Sequence, residues 1–167
     1  MPLPAWAGSL IELSDFGGDA EAYFTRLYDI FTADFITTPA TFNGRPIIFD
    51  DRLGDRSRVE CFWHVTSTDD PDNGRLPDMR RCERIGWIKQ IIDNHIDPAV
   101  LKWETIRKGS VRTLLLLNEG NFLVVLVNRP RNYFLTTAFY IEHPSRKAKL
   151  IAERDAYVRN GNQPVRT

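Results

Sequence analysis

The sequence lacks the features that mark secreted, membrane or cysteine-stabilised proteins. Its 167 residues include two cysteines, Cys61 and Cys82, which are too few for a disulfide framework or a four-ligand zinc site. No apolar run approaches the roughly 20 residues of a membrane span. The first residues also lack the basic stretch and following apolar stretch of a secretory signal. We therefore expect a cytoplasmic protein with no membrane partner.

Common catalytic and cofactor-binding motifs are missing as well. The sequence has no P-loop, no dinucleotide-binding glycine motif, no Gly-x-Ser-x-Gly elbow and no His-Glu-x-x-His. Its three histidines are far apart, and the nearest pairing, His64 with Cys61, falls on opposite faces of a predicted strand. We expect neither a metal site nor a cofactor.

The charge is balanced overall but unevenly distributed. The net charge is zero, from 22 basic and 22 acidic residues, so total charge gives little support for nucleic-acid binding. Residues 1–60 carry five basic and ten acidic side chains, whereas residues 61–167 carry 17 and 12. A site for a polyanion would therefore lie in the C-terminal two thirds. An acidic N-terminal layer that docks on a basic body explains the distribution equally well.

The length and the hydrophobic fraction of 43% are typical of a single globular domain. Within it we distinguish an acidic N-terminal helical layer (1–60), a core (61–158) and a flexible tail (159–167). Apolar residues at helical spacing predict helices over 20–35 and 79–94, the second with Asp78 as its N-cap.

Alternating residues predict the strands, and turn-forming residues separate them. Two short strands are expected over 46–49 and 59–66, with a loop over 69–77. The period of two then returns in four closely spaced segments, 101–108, 111–118, 122–128 and 133–141. Such segments form an antiparallel meander, and a charged helix follows over about 144–158. Because helices and strands are segregated, the predicted fold class is α+β: N-terminal helices and short strands, a four-stranded meander and a C-terminal helix.

Two candidate functional features precede the meander. His64 is expected near the end of a strand, where an imidazole could give or take a proton near neutral pH; a core histidine is the alternative. Arg80, Arg81 and Arg84 lie beside Trp87 on the second predicted helix, and guanidinium groups bind phosphate bidentately. A solvated face paired with acidic neighbours explains these arginines too.

The meander is the third feature. Its first two strands and their turn carry four basic residues, Lys102, Arg107, Lys108 and Arg112. The last strand carries two adjacent threonines, Thr136 and Thr137, which need hydrogen-bond partners if they are buried. β-Propensity alone also explains threonine at these positions.

These short motifs occur in an order that resembles a known family. Phe62-Trp63-His64 comes first, then 77–87 with its arginines, then Trp103-Glu104 with Arg107, and finally 133–138 with Thr137-Ala138. Over roughly Phe31 to Lys149 the chain resembles the phage-associated branch of the barnase–EndoU–colicin–RelE superfamily, the BECR fold. The resemblance implies a toxin-like, metal-independent ribonuclease that cleaves RNA by attack of the 2′-hydroxyl on the phosphodiester. It also implies an antitoxin or immunity protein as a possible partner besides RNA.

The resemblance further suggests site residues. His64 would transfer a proton, Arg84 and Arg107 would stabilise the transition state, and Thr137 would position a phosphate or the 2′-hydroxyl. The remaining candidates would bind substrate: Arg81, Trp87, Lys108, Thr136 and Tyr140. The second proton-transfer group is unassigned, and His143, just past the last strand, is a position to check.

Two other function classes stay open. A non-catalytic phage accessory protein would bind RNA or a protein partner without needing His64. An ADP-ribosyltransferase-like enzyme is suggested by a predicted strand that ends in His64-x-Thr66-Ser67, and would use a later acidic residue such as Glu142 or Glu153.

Overall fold

The structure, a computed structural model, describes residues 2–167 and is a mixed α+β fold. Its α-helices are α1 (Ala20–Phe31), α2 (Glu60–Thr66), α3 (Met79–Cys82), α4 (Ile85–Asp93) and α5 (Pro144–Arg159). A π-helical turn, Thr32–Thr37, continues α1, and short 3₁₀ turns occur at Leu13–Phe16 and Asp55–Ser57. No helix in residues 2–167 combines the length and the apolarity that crossing a bilayer requires.

Nine strands form a seven-stranded mixed sheet and a separate hairpin. The strands are β1 (Thr41–Phe42), β2 (Arg45–Ile48), β3 (Ser67–Asp70), β4 (Gly74–Pro77), β5 (Val100–Arg107), β6 (Ser110–Leu117), β7 (Phe122–Asn128), β8 (Tyr133–Tyr140) and β9 (Val165–Arg166). The large sheet has the order β1-β2-β8-β7-β6-β5-β9, and β3 pairs only with β4. Strands β5 to β8 are the predicted antiparallel meander, whereas β2 joins β8, and β9 joins β5, in parallel.

The two faces of the sheet are covered differently. The larger core packs β6–β8 against α1, α2 and α4 through fully buried residues such as Leu115, Phe122 and Ile88. The smaller core lies on the opposite face, where Trp103, Leu116 and Leu123 pack against α5. Because α5 covers only part of this second face, it leaves a cleft beside the helix.

The predicted strand over 59–66 is wrong: these residues form helix α2. Cys61, Phe62, Val65 and Thr66 are buried together, which is the i, i+1, i+4, i+5 spacing of one helical face. The Thr66 hydroxyl donates to the Phe62 carbonyl one turn earlier at 2.8 Å. A seven-residue segment rich in aromatic and β-branched residues fits both periods, and packing beside β8 selects the helix.

Two smaller expectations are also corrected. The predicted loop over 69–77 contains most of the β3–β4 hairpin, whose mainly exposed residues show no alternation of burial. The helix expected over 79–94 is interrupted at Glu83 and Arg84, although Asp78 is its N-cap and accepts from the Arg81 amide at 3.2 Å. The predicted flexible tail contains β9, and β1 and β2 of the predicted N-terminal layer belong to the main sheet.

Candidate functional site

A cleft of about 420 Å³ opens between the sheet and α5 and gathers three arginines. Arg107 ends β5, and Arg112 on β6 lies opposite Thr105 in the register of the two strands. Helix α5 contributes Arg146 and Glu153. We call this site the arginine cleft; its other lining residues are Thr105, Leu114, Leu123, Val125, Thr137, Phe139, Leu150 and Thr167.

The three guanidinium groups of the cleft are not neutralised within the protein. None of them forms an ion pair with a carboxylate in residues 2–167. The Arg146 guanidinium lies 4.5 Å from the Phe139 ring centroid, and the buried Arg112 Nε has no hydrogen-bond partner. Arginines that face one cleft without carboxylate partners favour an anionic ligand, because a phosphate or carboxylate can accept several of their N–H groups at once.

Glu153 is the one carboxylate in the lining of the arginine cleft. Its Oε1 atom accepts a hydrogen bond from the Trp103 indole at 2.6 Å, which orients the carboxylate. Its Oε2 atom has no hydrogen-bond partner in residues 2–167. The cleft thus combines three cations with one oriented hydrogen-bond and proton acceptor.

A β-bulge in β8 lies at the two threonines. Thr137 pairs with Val125 and Leu135 with Leu126, so Thr136 has no residue opposite it. Bulges re-aim side chains and are common beside functional sites. Thr137 lines the arginine cleft, while the Thr136 hydroxyl is buried without a hydrogen-bond partner.

Arg81 connects α2 with the rim of the cleft. Its Nη1 donates to the His64 carbonyl at 3.0 Å, and its guanidinium lies 5.7 Å from the Phe139 ring centroid. Burial lowers the pKa of Arg81, and the nearby Asp78 carboxylate opposes that shift. The His64 side chain is exposed on α2 and is not part of the cleft lining.

Arg84, Trp87 and Tyr140 form a second group with a structural role. The buried Arg84 guanidinium lies 4.6 Å from the Tyr140 ring centroid and 5.3 Å from that of Trp87, and it donates to Glu83 at 3.1 Å. The Trp87 indole donates to the carbonyl of Gly8 at 2.8 Å. This group therefore anchors the N-terminal segment to α4.

The sequence-predicted site residues thus separate into three places. Arg107 and Thr137 meet in the arginine cleft, with Lys108 exposed in the turn after Arg107. His64 and Arg81 lie on α2 and α3, and a third group surrounds Arg84. The His-x-Thr-Ser pattern that suggested an ADP-ribosyltransferase-like motif ends a helix rather than a strand.

The ribonuclease site predicted from the sequence does not include Arg112, Arg146 or Glu153; the sequence points to Glu153 only for the ADP-ribosyltransferase-like alternative. Arg112 was recognised only as a basic position of the meander. The signal on α5 was the spacing of residues 146, 150, 153 and 157, which places one arginine, one glutamate and two apolar residues on a single helical face. That face is the one that lies over the sheet.

Residues 2–167 contain no group of three or more His, Cys, Asp or Glu side chains arranged to hold a metal ion. Comparisons of the chain with protein-family models, with curated proteins and with solved structures found no match. The site is therefore interpreted from its own residues.

Proposed function

We propose that this protein is a metal-independent ribonuclease that binds an RNA strand in the arginine cleft. The observation that best supports the proposal is the convergence of three unpaired guanidinium groups and the Thr137 hydroxyl on one cleft with a single carboxylate. Phosphodiesters match such a set of donors, and Phe139 adds an aromatic surface. The resemblance to the BECR superfamily implies the same substrate.

The proposed reaction is transesterification at one phosphate. The 2′ oxygen forms a bond to phosphorus while the bond from phosphorus to the 5′ oxygen breaks, which leaves a 2′,3′-cyclic phosphate and a 5′-hydroxyl. Glu153 takes the proton of the 2′-hydroxyl, since a general base must lie within hydrogen-bond reach of that group. The guanidinium groups stabilise the charge that develops on the phosphoryl oxygens.

The proton for the leaving 5′ oxygen comes from water in this proposal. The cleft lining, as described for residues 2–167, contains no second carboxylate and no imidazole. This same observation favours a second candidate function, a non-catalytic protein that binds RNA through the arginine cleft. Both candidates require RNA in the cleft, and only the first requires Glu153 as a base.

A cleavage assay in EDTA tests the proposal. Wild-type protein is incubated with single-stranded RNA and compared with Glu153→Gln, which keeps a hydrogen-bond acceptor for Trp103, and with Arg107→Gln. The matched control is Lys89→Gln, on α4 at the opposite face of the sheet. We expect products with 2′,3′-cyclic phosphate ends from wild type and control, and a rate about 10²–10⁴ lower for Glu153→Gln.

The remaining outcomes assign the activity differently. If His64→Ala loses cleavage and Glu153→Gln does not, His64 is the general base and the proposed role of Glu153 is refuted. RNA binding that depends on Arg107 without any cleavage would favour the non-catalytic candidate. Binding and cleavage that both survive Arg107→Gln would show that the arginine cleft is not the RNA site.

A further inference from the structure

A second cavity, of about 390 Å³, lies between α1, α2 and the loop that precedes α2, and its lining includes aromatic and cationic side chains. Phe24 of α1 and Trp63 of α2 form its aromatic walls, with ring centroids 6.2 Å apart. Arg56 and Arg58 line it from the loop that precedes α2, and Glu21 is its one acidic lining residue. We call it the aromatic pocket.

Arg58 is a buried cation with no anionic partner in residues 2–167. Its side chain is among the buried residues, at 9% exposure, and its guanidinium lies 5.7 to 5.9 Å from the ring centroids of Tyr28, Phe62 and Trp63. Nη2 donates to the Thr25 hydroxyl at 3.2 Å, whereas Nη1 has no hydrogen-bond partner. A buried charge left unpaired costs free energy, and an anion bound in the adjoining cavity would reduce that cost.

The loop that carries Arg56 is held in an uncommon conformation. Arg56 and Ser57 are consecutive non-glycine residues in the left-handed region, with φ of 55° and 56°. Residues in this region cost free energy and cluster where a structure holds a ligand. The conformation leaves the exposed Arg56 at the pocket with no ion pair in residues 2–167.

The aromatic pocket is connected to the arginine cleft by a run of contacts. Trp63 in the pocket wall precedes His64, whose carbonyl accepts from Arg81. The Arg81 guanidinium reaches the Phe139 ring, which Arg146 also covers from the cleft. Two cations lie along this run, Arg146 and Arg81, and Arg81 is paired with the Asp78 carboxylate at 3.3 Å.

We propose that the aromatic pocket binds a nucleobase of the RNA whose phosphates occupy the arginine cleft, with Arg56 on the phosphate beside that base. The inference rests on the proposed function and adds a second contact point on the same substrate. The aromatic walls can stack on the face of any nucleobase, and the pocket's two arginines outnumber its one glutamate, which favours the negatively charged RNA backbone. The pocket thus extends the footprint of the RNA beyond the cleaved phosphate.

The four indole N–H groups allow the two sites to be observed separately by ¹H–¹⁵N NMR. Trp63 donates to the Asp55 carbonyl at 3.2 Å in the pocket wall, and Trp103 donates to Glu153 of the cleft. The Trp6 indole donates to the Asp97 carboxylate and the Trp87 indole to the Gly8 carbonyl; neither tryptophan lines the pocket or the cleft, so both act as internal controls. The probe is 2′-O-methyl hexaadenylate, which cannot be cleaved because its 2′ oxygens are blocked.

We expect addition of the oligonucleotide to change the indole N–H chemical shifts of Trp63 and Trp103 and to leave those of Trp6 and Trp87 unchanged. Movement of Trp103 alone would overturn the inference and leave the proposed function standing. If neither signal shifts, the pocket inference and the proposed function are both overturned. If only Trp63 shifts, the pocket is a nucleotide site but RNA binding in the arginine cleft is refuted.

Affinity measurements on variants give an independent test. Trp63→Leu should weaken hexaadenylate binding about five- to a hundredfold, the effect of losing one stacked base. Arg56→Gln changes only an exposed side chain, so it keeps the test valid if Trp63→Leu fails to fold; we expect it to weaken binding severalfold. Lys89→Gln is the matched control. Unchanged affinity in Arg56→Gln and in folded Trp63→Leu would overturn the inference.

Discussion

Replacing Arg112 by glutamine tests whether the arginine cleft holds RNA phosphates. Each phosphate of a single strand that a protein neutralises contributes about 0.7 to the slope of log affinity against log salt concentration. Three guanidinium groups line the cleft without carboxylate partners, so three phosphate contacts predict a slope of about −2. Arg112→Gln removes one contact and should reduce the slope to about −1.4.

Arg112→Gln should also lower the affinity of the protein for RNA. A hydrogen bond to a charged group contributes about 1.5 kcal/mol or more, which corresponds to a loss of about tenfold or more at low salt. The assay is fluorescence anisotropy of a labelled 2′-O-methyl oligonucleotide across a series of potassium chloride concentrations. Thermal unfolding of the same variant checks that the fold is retained.

Lys89→Gln is the control for general charge. It removes one positive charge from α4, on the other face of the sheet, and should change the slope little. A folded Arg112→Gln protein with the slope and affinity of wild type would refute the assignment of the arginine cleft. Equal losses in both variants would show that net charge, not the cleft, attracts RNA.

Three further predictions concern stability. Burial raises the pKa of Asp34 to about 6; the Lys89 charge opposes this shift and the Asp93 charge adds to it. Because the unfolded carboxyl ionises near pH 4 and the folded one near pH 6, the free energy of unfolding falls as pH rises from about 4 to 6. Asp34→Asn should therefore gain about 1–2 kcal/mol in urea unfolding near pH 7.5 and nothing near pH 4; an equal gain at both would contradict this. Asp78→Ala should lose about 1 kcal/mol in the same assay by removing the α3 N-cap, and no change would refute the cap. Deleting residues 164–167 removes β9 and should lower the melting temperature and speed amide exchange in β5; unchanged exchange would show that β9 adds no protection.

The meander could be predicted from the sequence because its signals are local and agree with one another. Burial alternates along most of β5 and β8, whereas β6 and β7 contain short apolar runs of strand length. The turn between β5 and β6 places Lys108 and Gly109 at positive φ, as a two-residue hairpin requires. The N-cap at Asp78 was predictable for the same reason, since it depends on a side chain and an amide three residues apart.

Segments with weak or ambiguous local signals could not be predicted. Residues 59–66 fit a strand and a helix equally well until β8 and α1 supply the surfaces against which α2 packs. The β3–β4 hairpin is exposed over most of its length and shows no apolar face, and the two residues of β9 are too few to show a period. Tertiary contacts override local propensity in such short segments.

Local sequence patterns are enough to predict the α+β class and the four central strands, and they also point to Arg107 and Thr137 of the arginine cleft. The other residues of the arginine cleft come together through contacts between elements distant in sequence. Arg146 and Glu153 reach the cleft because α5 docks across the sheet, and Arg84 is excluded because its helix packs on the opposite face. Local periodicity sets the face of an element, whereas docking of elements distant in sequence sets what that face meets.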